Sequence, residues 1–181
     1  MKQTKLLGVI IADDLTWSAN TSYIIKKAYK RMTILKKLYE FQVTISDLIQ
    51  IYKIYIRSIL EQNSVIWSSS ITSEEIGNLE RVQKVALRII LKCDYQSYIN
   101  ALNVTKLPTL EVRRKNLLYN FAVKCVNNPK TSNMFEYNQK SNNLRYIEPY
   151  KVPKANTTRL ANSAIPAMAR LLNRKSQMLQ T

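Results

Sequence analysis

Seven residues from Leu6 to Ala12 run apolar into Asp13-Asp14-Leu15-Thr16-Trp17, so a strand-like run ends on Ala-Asp-Asp. In residue type this could pass for a polymerase metal site, where carboxylates hold Mg²⁺ for phosphoryl transfer. Such chemistry needs carboxylates that converge from separate segments, whereas successive side chains on a strand point to opposite faces. Only one of Asp13 and Asp14 could then face a metal. None of the twelve residues before Asp13 is acidic, and the next acids, Glu40 and Asp47, fall in segments patterned as helices. The pair is therefore expected as the polar turn of a β-hairpin, with Leu15, Thr16 and Trp17 returning as the second strand. No catalytic residue and no metal site is expected.

The rest of the inventory narrows the chemistry further. With no histidine and only two cysteines, Cys93 and Cys125, the chain offers no His/Cys zinc site, Ser-His-Asp triad or Cys-His pair. The two cysteines are expected as free buried thiols, a single disulfide being the alternative. Glycine occurs twice, at Gly8 and Gly77, so neither a phosphate-cradling loop nor a dinucleotide fingerprint can be written. No cofactor and no small-molecule substrate is expected.

What remains is charge. The 181 residues carry 28 Lys and Arg against 12 Asp and Glu, a net +16 that points to a polyanionic partner, nucleic acid first among them. Residues 1–92 hold 14 cations and 8 acids, while 93–181 hold 14 cations and 4 acids, so the C-terminal half is the more basic. Lys2 and Lys5 before the apolar run resemble a signal peptide only weakly, because seven apolar residues ending in two aspartates suit a buried strand better. No window reaches the 18 or more apolar residues of a membrane span. An intracellular location, nucleus or cytoplasm, follows as the expectation.

The elements that would carry these charges are mostly helical. Ser18 or Asn20 is placed to cap a helix to about Tyr39, with Ile25, Ala28, Met32 and Leu35 on its inner face. Lys26, Lys27, Lys30, Arg31, Lys36 and Lys37 give that helix six cations in twelve residues with no acid between them. Such a run is a solvated face or a phosphate-binding face, and the missing Glu at i, i+4 favours the second. A second helix starts near Thr44 and Asp47 and continues to about Gln62, with Leu48, Ile51, Tyr52, Tyr55 and Ile59 as a packing stripe. Thr72-x-x-Glu75 is a capping box for a third helix to Leu91, with Ile76, Leu79, Gln83, Ala86 and Ile90 inward. Its Arg81, Lys84, Arg88 and Lys92, spaced +3, +4, +4, line up a cationic ridge about three turns long, and Glu80 is placed to pair with Lys84.

After a short segment around Tyr95 to Leu102, Pro108-Thr109 opens a fourth helix to about Val126, with Leu117, Leu118, Phe121, Ala122 and Cys125 apolar. The trio Arg113-Arg114-Lys115 in its early turns opposes the macrodipole and calls for a compensating acid or phosphate. Residues 129 to about 157, rich in Asn, Lys, Ser and Pro, read as an extended, poorly ordered arm, followed by a last helix around Ala161 to Leu172 that Pro166 breaks or starts. The fold class expected is mainly α: a short N-terminal β-hairpin, a helical bundle and a partly extended basic tail.

The order of these segments resembles a known family. Lys5-Leu-Leu-Gly-Val-Ile-Ile-Ala-Asp-Asp-Leu-Thr-Trp17 resembles the "(Y/F)-L-G-V-x-(I/L)-D-x-x-L-x-W" stretch that follows the palm in reverse transcriptases of non-LTR (LINE-like) retrotransposons. Ile51-Tyr-Lys-Ile-Tyr-Ile-Arg-Ser-Ile-Leu-Glu61 through Trp67 is similar to "YKSYVRPILEYGSxVW", and Leu79-Glu-Arg-Val-Gln-Lys-Val-Ala-Leu-Arg88 to "LEKVQRRALR". Leu107-Pro-Thr-Leu-Glu-Val-Arg-Arg114 is similar to "LPSLEERR", and Arg159-x-x-x-Ser163-Ala-Ile-Pro166 with Arg170-Leu-Leu-Asn173 to the ending "R-x-x-S-x-IP…RLLN". The likeness covers nearly the whole chain and rests on the shared order of motifs. Asn20 stands where a His commonly follows the Trp, and Ser58 replaces a Pro; neither touches a catalytic group.

The resemblance implies a primer-grip-like hairpin over residues 1–20 with Leu7 and Gly8 at its centre, a helical thumb-like domain over 21–127 and a C-terminal extension over 128–181. It places the Mg²⁺-binding aspartates of the parent RNA-directed DNA polymerase upstream of Met1, so the palm and fingers become candidate partners and the chain alone is not an enzyme. A thumb grips the template-primer RNA/DNA duplex through its backbone, in agreement with the independent reading of the cationic faces. The residues expected to do so are Lys27, Lys30 and Arg31, then Arg81, Lys84, Arg88 and Lys92, then Arg113 and Arg114. The alternatives are a helical protein-interaction module, or a degenerate pseudogene product with no nucleic-acid role.

Overall fold

The computed structural model describes residues 2–138 and 148–178. It is mainly helical, with a short two-stranded antiparallel hairpin near the N-terminus. In the hairpin, β1 (Gln3–Leu6) pairs with β2 (Val9–Ala12), Gln3 opposite Ala12 and Leu6 opposite Val9. The apolar run is thus two strands joined by Leu7-Gly8, whose φ of 47° and 86° are the positive values a two-residue primed turn needs to match the strand twist. Asp13-Asp14 is therefore not the hairpin turn, and Leu15 to Trp17 form no second strand. Asp13 Oδ2 instead accepts the Lys2 N–H at 3.1 Å, closing the open end of the hairpin. Asp14 Oδ1 accepts from Thr16 N–H and Oγ1 at 3.0 and 2.8 Å, an Asx-type turn into the first helix.

Helix α1 (Ser18–Glu40) buries Ile24, Ala28, Met32 and Leu35, while Ile25 is only half-buried. Neither Ser18 nor Asn20 caps it. The cap position is Trp17, without a side-chain bond, and buried Asn20 uses its Oδ1 to accept the Ile10 N–H at 3.1 Å, tying hairpin to helix. The second helix winds in three styles: α2 (Ile45–Ile51), capped by Thr44; a π-helical stretch, Tyr52–Arg57; and α3 (Ser58–Glu61). The i→i+5 winding keeps residues four apart in register, so Leu48, Tyr52, Ile56 and Leu60 are fully buried. Tyr55, expected inward, is carried out to 42% exposure.

After α4 (Ser64–Trp67), helix α5 (Ser73–Leu91) begins with both halves of the Thr72/Glu75 capping box formed. It buries Leu79, Val82, Gln83, Ala86, Leu87, Ile90 and Leu91, and packs against α1. Thr21 Oγ1 donates to Glu75 Oε1 at 2.8 Å near both helix starts, and Lys92 lies against Tyr39 near both ends, so α1 and α5 run parallel. α6 (Tyr98–Thr105), capped by Ser97, leads to α7 (Leu110–Val126). With only two glycines in the chain, Gln42, Asn63, Lys92 and Lys106 take the left-handed positions at turns and helix ends, at some cost in backbone energy.

The chain divides into two compact units, one of Met1–Ser64 with Ile71–Arg113 and one of Val65–Ser70 with Arg114–Thr181. These bounds do not coincide with those expected near 20 and 127: the hairpin belongs with the helices, and α7 is shared at Arg113/Arg114. The second unit contains α8 (Thr158–Ala161) and α9 (Ala164–Met178), so the expected last helix is two helices, with Pro166 in the first turn of α9 where no helical N–H is lost. Its core is Leu118, Ala122, Cys125, Phe135, Ala167, Met168 and Leu172. Of the expected arm, residues 139–147 lie outside the described residues. The flanking parts are tied down: Tyr137 and Tyr150 form an antiparallel bridge, and buried Asn173 accepts the Tyr150 N–H at 3.0 Å and donates to its carbonyl at 2.8 Å. Both cysteines are free; Cys125 is buried as expected, but Cys93 is exposed.

Candidate nucleic-acid interface

The expected cations on α1 and α5 lie on surfaces of the first unit, and most are organised by tyrosine rings. Arg31 stacks 4.3 Å from the Tyr55 ring centre and donates to the Tyr55 carbonyl at 2.9 Å. Lys84 lies 5.0 Å over Tyr98, Arg88 5.3 Å over Tyr95 and Lys92 4.1 Å over Tyr39. A fifth pair joins hairpin to helix: Lys5 sits 4.6 Å over Tyr23 and donates to its hydroxyl at 2.9 Å. That ammonium holds the Tyr23 phenol below its ordinary pKa. Exposed pairs of this kind are weak, and a ring does not neutralise a cation. It fixes the side chain and leaves the charge for a partner.

None of Lys27, Lys30, Arg31, Arg81, Lys84, Arg88 and Lys92 forms an ion pair among the described residues. The expected Glu80–Lys84 pair does not form. Glu80 accepts the Tyr98 hydroxyl, and both its oxygens accept the Leu110 N–H at 3.2 and 3.1 Å. Burial first, and the Glu80 carboxylate second, raise the Tyr98 phenol well above its ordinary pKa.

Glu80 therefore also places negative charge at the N-terminus of α7, and Glu61 Oε1 pairs with Arg113 at 3.0 Å. Together with Glu111 in the first turn of α7, these are acids of the kind that the Arg113-Arg114-Lys115 trio called for. Arg113 is engaged with Glu61, and Arg114 is only 3% exposed. Arg114 is thus a buried side chain and not an exposed cation as expected; its place in the motif gave no sign of burial. The turn pair Leu7-Gly8 lies at the hairpin tip, Leu7 86% exposed, with the Asn63 amide donating to the Leu7 carbonyl at 3.0 Å.

The parallel arrangement of α1 and α5 sets their C-terminal ends side by side, where Lys36, Glu40, Arg88, Ile89 and Lys92 border a notch of about 260 Å³. Cations there complement two helix C-termini, a structural role of about 0.3–1 kcal/mol each that coexists with anion binding. Lys27 and Lys30 are mid-helix, have no such role, and line a separate groove of about 520 Å³ with Tyr23, Lys26 and Tyr29. Sequence reasoning missed the tyrosines, because Arg31–Tyr55, Lys84–Tyr98 and Lys92–Tyr39 are set by tertiary packing; eleven Tyr in the chain are the only hint.

Among the described residues no three His, Cys, Asp or Glu are grouped to hold a metal ion, and no helix is long and apolar enough to cross a membrane. Comparison of the chain with protein-family models, with curated proteins and with solved structures finds no match.

Proposed function

We propose that this chain is a non-catalytic nucleic-acid-binding part of a reverse-transcriptase-like protein, gripping a template-primer duplex through its phosphate backbone. The observation that carries this reading is the set of seven cations on α1 and α5, Lys27, Lys30, Arg31, Arg81, Lys84, Arg88 and Lys92. Among the described residues none of them forms an ion pair, and four are propped on tyrosine rings. Fixed, unneutralised cations on helix faces suit contacts that position a duplex without reading its bases. The motif order resembling non-LTR retrotransposon enzymes supports the same role, with polymerase chemistry belonging to other segments.

Filter binding against RNA-DNA hybrid, duplex DNA and anionic liposomes tests it. Replacing Arg81, Lys84 and Arg88 together by Glu is expected to weaken hybrid and duplex binding and to flatten log K against log salt by about 0.9 per lost phosphate contact. An unchanged slope sinks the assignment. Mg²⁺-dependent nucleotide incorporation by the chain alone would overturn its non-catalytic part. A second reading, docking on another protein, is favoured by the hairpin tip, where Leu6 and Leu7 are 58% and 86% exposed. It predicts that the triple variant leaves function intact while Leu7→Asp abolishes it.

A further inference from the structure

The groove on the outer face of α1 differs from the rest of the cationic surface. Among the described residues it is lined by Tyr23, Lys26, Lys27, Tyr29 and Lys30, three cations and no carboxylate. At i, i+3, i+4 and i+7, Tyr23, Lys26, Lys27 and Lys30 share one face, opposite the buried Ile24, Ala28, Met32 and Leu35. These cations lie outside the last helical turn, so the macrodipole does not explain them.

The tyrosines tell the two surfaces apart. Tyr23, Tyr39, Tyr55, Tyr95 and Tyr98 each lie beneath a cation, which occupies a ring face that a base would need. Tyr29 is 37% exposed and has no hydrogen-bond or ring partner among the described residues. An open ring between lysines is of no use to a duplex, whose base faces are already stacked on one another. It suits an unpaired base, whose flanking phosphates then fall within reach of the neighbouring ammonium groups.

We propose that this groove binds single-stranded nucleic acid, with one unpaired base stacked on Tyr29 and the adjoining phosphates at Lys26, Lys27 and Lys30. The proposal rests on the nucleic-acid reading above but assigns a ligand other than the duplex to this groove; Lys27 and Lys30 also belong to the duplex set, whereas Tyr29 and Lys26 belong to this site alone.

Fluorescence anisotropy of the full chain with a labelled short oligo-dT and a labelled blunt DNA duplex tests it. Tyr29→Ala is expected to weaken oligo-dT binding about tenfold, the lower part of the range for loss of one stacked base, and to change duplex binding by less than about twofold. Tyr29→Trp is expected to retain oligo-dT affinity, and Lys26→Gln to lower the oligo-dT salt slope by about 0.7. Equal losses on both probes, an unaffected oligo-dT, or a chain that binds duplex but not oligo-dT overturns this site while leaving the duplex reading standing. Failure to bind either probe overturns both.

Discussion

Replacing Gln83 by Leu tests the polar network that joins the helices of the first unit. Gln83 and Tyr52 are fully buried, with Tyr52 donating to Gln83 Oε1 at 2.6 Å. Gln83 Nε2 donates to the Tyr98 hydroxyl at 3.0 Å and to the Pro108 carbonyl at 2.9 Å. Leucine keeps the volume but strands the Tyr52 hydroxyl, at about 2 kcal/mol, and removes one bond each from Tyr98 and Pro108, at about 0.5–1 kcal/mol apiece. Added apolar burial returns about 1 kcal/mol, so the net loss is about 2–3 kcal/mol. For a chain of this size that lowers the melting temperature by about 5–10 °C. Urea and thermal melts followed by far-UV circular dichroism should then be run on Gln83→Leu, Tyr52→Phe and the double variant. Tyr52→Phe removes the stranded donor, so the double variant is expected to be less destabilised than the sum of the singles by about 1–2 kcal/mol. Additivity within about 0.3 kcal/mol would refute the claim that the two side chains act through one bond.

Two further outcomes follow from burial and charge. Burial raises the Tyr52 phenol well above its ordinary value, and burial with Glu80 does the same for Tyr98. Above pH about 10 the unfolded chain releases protons that the folded chain keeps, so stability falls as pH rises through the alkaline range. Tyr52→Phe is expected to flatten that fall in urea midpoints; an unchanged pH dependence would count against it. With Cys93 exposed and Cys125 buried, a thiol reagent such as DTNB is expected to titrate one sulfhydryl rapidly in the native protein and the second only on unfolding. Two fast thiols would contradict the placement of Cys125 in the α7–α9 core.

Local signals placed the helices well. The Thr72/Glu75 box and the start of α5 were legible because a capping box is closed by residues three apart, and of the inward set expected from helical periodicity Leu79, Gln83, Ala86 and Ile90 are buried and Ile76 half-buried. The hairpin was legible as an element but misplaced. An apolar run bounded by polar residues has the same pattern whether it is one strand or two joined by Leu7-Gly8, and only strand pairing distinguishes them. Tyr55 was misassigned because a π-helical stretch changes the period on which the inward face was counted.

In the candidate interface, amino-acid type and spacing determined which helix faces are basic, because side chains three and four apart on a helix are neighbours whatever the helix packs against. Which of those cations remain available was decided by tertiary structure. Glu61 reaches Arg113 and Glu80 reaches the start of α7 from distant parts of the chain, Arg114 is buried, and tyrosines from three separate segments prop Arg31, Lys84, Arg88 and Lys92. Pairing energies fall off over a few ångströms, so partners 24 or 30 residues away in sequence leave no periodic trace until the chain folds.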